Sequence, residues 1–131
     1  MMTGRRHHNS KISKLGGPYS HAVLDGEYVF LSGQLADDAN HRRVALGDIV
    51  DETRAAMELL QGVLADLGLD FGDVVKVNGY MTDLDQFHRM NEIYAGYFTA
   101  GRFPARTTVG VASLLFGCHI EIDCIARLRR S

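Results

Sequence analysis

The positions Ile49, Thr53, Ala56, Leu60, Val63, Leu64 and Leu67 recur at three- and four-residue spacing. Asp51, Glu52, Arg54, Glu58, Gln61 and Asp66 fill the places between them. That period predicts an amphipathic helix of about five turns, with the charged set turned to water. Asp48 stands where an N-cap belongs, Asp51 lies three residues on, and Gly68 is a stop signal. From Asp73 the pattern changes to alternation, which predicts a strand with Val75, Val77, Gly79 and Met81 on one face and Val74, Lys76, Asn78 and Tyr80 on the other. Asp83 and Gln86 resemble a capping box opening a second helix, whose apolar stripe is Phe87, Met90, Ile93, Tyr94, Tyr97 and Phe98 and which ends at Gly101.

The remaining strands follow from shorter runs. After the Gly16-Gly17-Pro18 turn, Tyr19 to Leu24 and Glu27 to Gln34 read as a hairpin closed at Asp25-Gly26. Thr107 to Ala112 reads as a strand. His119 to Leu128 alternates most cleanly, with Ile120, Ile122, Cys124, Ala126 and Leu128 on one face and His119, Glu121, Asp123 and Arg127 on the other. The order β-β-α-β-α-β-β, with two helices long enough to cover one face of a sheet, is α+β. Ile125 shares the second face of the last strand with the charged residues, and the best cover for it is another copy of the chain.

Composition narrows the picture. A chain of 131 residues, 46% hydrophobic and 23% charged, is one domain. We place that domain at 15–131, behind a basic, polar tail at 1–14 expected to fray. Asp37 to Leu46 is polar and loop-like. Fourteen Lys and Arg against 16 Asp and Glu give a formal charge of -2, which calls for neither nucleic acid nor an anionic membrane. No run approaches the ~20 apolar residues of a membrane span. Cys118 and Cys124, if extended in one strand, lie about 20 Å apart, beyond disulfide reach, so reduced thiols in a cytoplasmic protein are expected.

Few residues carry candidate chemistry. Arg106 follows Pro104-Ala105 at the entry to a strand and shares a face with Thr108 and Gly110. It either holds a carboxylate by a two-pronged hydrogen bond or pairs with Glu121 or Asp123 on a neighbouring strand. Cys118, His119 and Glu121 do not complete a metal site, because 118 and 119 point to opposite faces and no second cluster stands at ligand spacing. His7 and His8 fall in the tail, His41 in the polar loop, and His88 on the outer side of the second helix. Gly-rich phosphate loops are absent, and adjacent Ser20 and His21 diverge in a strand, so neither nucleotide binding nor triad hydrolysis has support.

Several segments together resemble one family. Gly17-Pro18-Tyr19-Ser20, Leu31-Ser32-Gly33-Gln34, Asn91-Glu92-Ile93-Tyr94 with Tyr97-Phe98, Phe103-Pro104-Ala105-Arg106 and Ile120-Glu121-Ile122 are similar to motifs of the Rid family. These are the reactive-intermediate deaminases, also called the YjgF family and labelled endoribonuclease L-PSP. The resemblance runs from about Gly16 to Arg127 in the same order and with similar spacing. It implies a chorismate-mutase-like α+β fold with two helices on one face of a mixed sheet, a homotrimer, and sites in clefts between subunits. It further implies hydrolysis of enamines and 2-imino acids, such as 2-aminoacrylate, to 2-oxo acids and ammonia, without a cofactor or metal.

By position, Arg106 matches the arginine that grips the substrate carboxylate and Glu121 the acid that positions or activates water. Tyr19, Ser32, Gly33 and Asn91 match residues lining the pocket, and Thr108 stands where many active members carry Cys. Two more departures occur: Leu114-Leu115-Phe116-Gly117 replaces a Leu-Pro turn, and His21 replaces a Gln. The stretch from Asn91 to Pro104 is also slightly shorter than usual. Retention of Arg106 and Glu121, taken as lying on facing strands, favours an active deaminase over an inert paralogue. The alternatives are a deaminase of a larger, pathway-specific enamine, and a non-catalytic trimer that binds a 2-oxo acid or another protein. Ribonuclease activity lacks both a basic stripe interleaved with aromatics and a His pair placed for acid-base work.

Overall fold

The fold is described from a computed structural model, which covers residues 4–36 and 44–129. Six strands form one sheet: β1 (Arg5–His8), β2 (Ala22–Asp25), β3 (Tyr28–Gln34), β4 (Val74–Met81), β5 (Ala105–Gly110) and β6 (Ile120–Arg127). Their spatial order is β1-β2-β3-β6-β4-β5. All neighbours are antiparallel except β4 and β5, which are parallel. Two helices, α1 (Ile49–Asp66) and α2 (Phe87–Ala95), cover one face. The architecture is the α+β arrangement that the periodicity predicts. Among the described residues no helix is long and apolar enough to cross a membrane.

α1 begins where the sequence places it. The Asp48 side chain accepts a hydrogen bond from Val50 N at 2.9 Å, and Gly68 leaves the helix at φ +73°, a left-handed turn that suits glycine. Its inner stripe of Ile49, Ala56, Leu60, Val63 and Leu64 packs on Ile120, Ile122, Cys124 and Ala126 of β6 and on Val29 and Leu31 of β3. Full burial of each larger aliphatic side chain contributes about 1.5–3 kcal/mol, so the β6 alternation and the α1 period are two halves of one core.

Five expectations need correction. The tail expected to fray contains β1, whose register runs from Arg5 opposite Asp25 to His8 opposite Ala22. The Arg5 guanidinium bonds Asp25 at its start, and His8 Nε2 lies 3.0 Å from Asp66 at its end. Glu52, placed on the water-facing side of α1, is fully buried. Val74 is buried and Val75 exposed, the reverse of strict alternation, because the β4–β6 register shifts between Val74 and Lys76. α2 stops at Ala95, so Tyr97 and Phe98 pack from the turn that follows it, each edge-on to Phe71. Tyr19 and Ser20 precede β2 rather than belonging to it. Residues 37–43 of the expected loop, including His41, lie outside the described residues.

Candidate active site

β3 and β6 build one concave site between them. Leu31 stands opposite Cys124 and Gln34 opposite Ile122, so three steps along β3 match two along β6. The extra residue makes a bulge at Ser32–Gly33, which bends the strand and opens its edge. Ser32 fixes the bulge to the chain before β2: its hydroxyl donates to Ser20 O at 2.6 Å and its N–H to His21 O at 2.9 Å. Tyr19 is folded over the same place by a turn in which its hydroxyl accepts from Gly16 N at 3.3 Å. The Glu121 carboxylate lies directly against Gly33, where a Cβ would stand 2.9 Å from the Glu121 Cδ and 3.1 Å from its Cγ. Glycine is therefore a requirement of this contact.

The resulting cavity measures about 290 Å³, and Tyr19, Ser32, Gly33 and Glu121 all line it. Burial, and secondarily the negative charge of Asp123, holds the Glu121 carboxyl above the usual carboxylate range. A half-buried carboxyl whose proton comes off nearer neutrality is suited to exchanging one with bound water. Asp123 itself accepts from Asn78 Nδ2 at 2.9 Å and from the Tyr80 hydroxyl at 3.0 Å.

A second group assembles around Arg106. Its Nη1 donates to Asn91 Oδ1 at 2.7 Å. Its Cζ lies 4.7 Å from the centroid of the Tyr94 ring and 5.3 Å from that of Phe87. Phe87, Asn91 and Tyr94 are spaced i, i+4, i+7, one stripe of α2. The stripe that reads in sequence as plain core thus also holds the guanidinium on two aromatic faces. Burial pushes the Tyr94 hydroxyl up to about 12, against the opposing pull of the Arg106 charge, so it remains a neutral phenol. That hydroxyl and the Thr108 hydroxyl are buried without a hydrogen-bond partner among the described residues. Arg106, Asn91, Tyr94 and Pro104 line a separate cavity of about 350 Å³.

The two groups do not meet within one chain. Arg106 pairs in register with Val77, and Val77 with Cys124, which places its side chain on the helix-covered face. Glu121 pairs with Tyr80, and Tyr80 with Val109, which places it on the other face. β4 lies between their strands. Two strand spacings and three residues of register separate their backbones by about 10 Å in each direction. The expectation of facing strands is therefore corrected. The ion-pair alternative also fails, since Arg106 bonds Asn91 while Asp123 is held by Asn78 and Tyr80. Thr108 shares the Arg106 face, as its spacing requires.

Sequence reasoning missed Glu52. Its carboxylate accepts from His119 N at 2.7 Å, from Gly47 N at 2.8 Å and from the His119 ring at 2.7 Å, tying α1 to the start of the strand that carries Glu121. It also missed the bulge, whose signal was the glycine inside a strand pattern at Gly33. His21 is buried, accepting from Ser10 N at 2.8 Å and lying 2.9 Å from the Ser13 hydroxyl, which anchors the chain leading into the Glu121 cavity.

The architecture has counterparts among known proteins. The chain matches the Endoribonuclease L-PSP family over residues 11–128. It is 46% identical to Protein DfrA of Myxococcus xanthus over 91% of this chain and 92% of that protein. It is 37% identical to the 2-iminobutanoate/2-iminopropanoate deaminase of Homo sapiens, over 84% of this chain and 80% of that one. A crystal structure of the Rid family protein YyfA from Yersinia pestis superposes with a TM-score of 0.86 at 31% identity, covering 95% of this chain and 100% of that one. With a family match across almost its whole length and relatives well above 30% identity, the chain belongs to the Endoribonuclease L-PSP family, the Rid or YjgF proteins.

Proposed function

We propose that the protein is a hydrolytic deaminase of 2-imino and enamine acids, with each site completed between two copies of the chain in a homotrimer. The observation that carries this reading is the division of the site. One face of the sheet holds a pre-set cation with no carboxylate ligand among the described residues, and the other holds a carboxyl of raised pKa in an open cavity. A planar 2-imino acid needs both at once. Exposed Phe30 and Val109 on the Glu121 face, with Ile125 beside them, supply apolar surface for a neighbouring copy. The name of the human relative gives the same reaction class.

In the reaction, Arg106 from one copy holds the substrate carboxylate while Asn91, Phe87 and Tyr94 keep the guanidinium from turning away. Glu121 from the other copy accepts a proton as water attacks the C=N carbon and passes a proton to the nitrogen. Glu121 then takes the proton of the carbinolamine hydroxyl and delivers one to the nitrogen as the C–N bond breaks, releasing ammonia and leaving the 2-oxo acid. The imine hydrolyses in water unaided, so positioning and a proton relay through one carboxylate suffice. The test follows the loss of an imine generated in situ by an amino-acid oxidase. Arg106→Ala and Glu121→Gln are each expected to slow the catalysed loss about 10²-fold. An Arg106→Ala protein that assembles and keeps wild-type rate would refute the proposal.

A further inference from the structure

We infer that the Leu115-Phe116 turn sets substrate choice, and that the imines this protein handles best carry large apolar side chains, branched aliphatic or aromatic. The inference rests on the deaminase reading above and concerns the part of the Glu121 cavity that the reacting atoms do not occupy.

Three observations converge on this turn. First, Leu115 and Phe116 line the cavity of Glu121 together with Tyr19 and Leu35, so four large, mainly apolar groups form much of its wall. Leu115 is 67% exposed, Phe116 43% and Tyr19 47%. Three such groups around one concavity are an apolar patch left exposed among the described residues. Second, Phe116 sits at φ 60°, ψ 18°, in the left-handed region that a bulky residue rarely occupies. Strain of this kind persists where the surroundings enforce it, and it clusters at ligand sites. Third, the turn is held from below. Cys118 is buried and its N–H donates to Leu115 O at 3.1 Å, and Leu114 packs on the Leu35, Ala36, Ala55 and Cys118 cluster. The two side chains therefore stand on a fixed base.

The size of the space agrees. A methyl-bearing imine leaves most of a 290 Å³ cavity wet, whereas an isobutyl or benzyl group covers the exposed wall. Each methylene placed in such a pocket alters specificity by roughly tenfold or more. Lys14 also lines the cavity, but it is exposed, and a solvated ammonium adds little to an ion pair with an acidic side chain.

The experiment uses the full chain and imines generated from alanine, leucine, phenylalanine and glutamate. The expected kcat/KM is at least about tenfold higher for the leucine and phenylalanine imines than for the other two. Phe116→Gly, which also relieves the positive φ, and Leu115→Ser should each lower that ratio toward one. A flat profile, a preference for the alanine or glutamate imine, or variants that slow every imine equally would overturn the inference. The last outcome would assign the turn to contact between copies. Calorimetry with 4-methyl-2-oxopentanoate, phenylpyruvate and pyruvate separates this from failure of the deaminase reading, because these products bind without turnover. The larger two should bind at least about tenfold tighter than pyruvate, and Phe116→Gly should remove the difference. Equal affinities would refute the apolar wall whatever the turnover result.

Discussion

Gly33→Ala tests the contact on which the carboxylate's position depends. The added Cβ would lie 2.9 Å from the Glu121 Cδ and still closer to Oε2, nearer than real Cβ atoms sit, and a tight 3.1 Å from Cγ. The Glu121 side chain must therefore rotate off the β3 backbone or the bulge must open. Neither motion disturbs the core, because Gly33 lies in the bulge between the paired positions Leu31 and Gln34. Overpacking at such a site costs about 1–3 kcal/mol. At a few degrees per kcal/mol for a domain of this size, Tm should fall by roughly 5 °C and the chain should stay folded. Activity should fall much further, since a displacement of about 1 Å at a reacting group costs about 10²-fold. The assay is imine loss, with thermal unfolding as the control. Repeating Gly33→Ala in a Glu121→Gln background should add little further loss of activity, because both changes act through one carboxylate. Wild-type turnover by Gly33→Ala, or full additivity in the double variant, would refute this account of the bulge.

Other consequences concern stability and pH. Glu52→Ala leaves the His119 N–H, the Gly47 N–H and the His119 ring without their acceptor, so it should cost about 3 kcal/mol in chemical denaturation; a loss below about 1 kcal/mol would contradict the structural role. The folded-state pKa of Glu121 is raised, so the native chain retains a proton that the unfolded chain has lost. Stability should fall as pH rises from the usual carboxylate range through the raised value, and Glu121→Gln should flatten that fall. Deamination should rise through the same interval as the carboxylate forms. His21 is held below the usual histidine range by burial, then by the charge of His8, against the opposing pull of Asp66. Its neutral form therefore stabilises the fold above that range, and the contribution is lost as pH falls below it. Nδ1 once protonated cannot accept from Ser10 N, so amide exchange at Ser10 should quicken on acidification more than in the α1 core. Uniform exchange behaviour would remove His21 as the anchor of residues 10–13.

The parts of the fold legible in sequence are those set by local period. The alternation of Ile120 to Leu128 and the cap at Asp48 needed only neighbours a few residues away. Arg5–His8 carries no apolar pattern, because its strand is held by pairing with β2 and by Arg5–Asp25 and His8–Asp66 contacts, distant in sequence. Glu52 reads as surface because nothing near it in sequence reveals three donors arriving from Gly47 and His119. The site divided in the same way. Tyr19, Ser32, Gly33 and Glu121 do gather, and so do Asn91 and Arg106, with Thr108 on the same face. The insertion of β4 between the strands of Arg106 and Glu121 follows from a parallel pairing, which no turn signal announces.

Subunit complementation tests the divided site most directly. Arg106→Ala and Glu121→Gln chains, each nearly inactive alone, are unfolded together, refolded as a mixture and assayed for imine loss. If each site takes Arg106 from one copy and Glu121 from another, random assembly restores about one quarter of wild-type activity. Activity no greater than the sum of the two variants alone would contradict a site shared between copies.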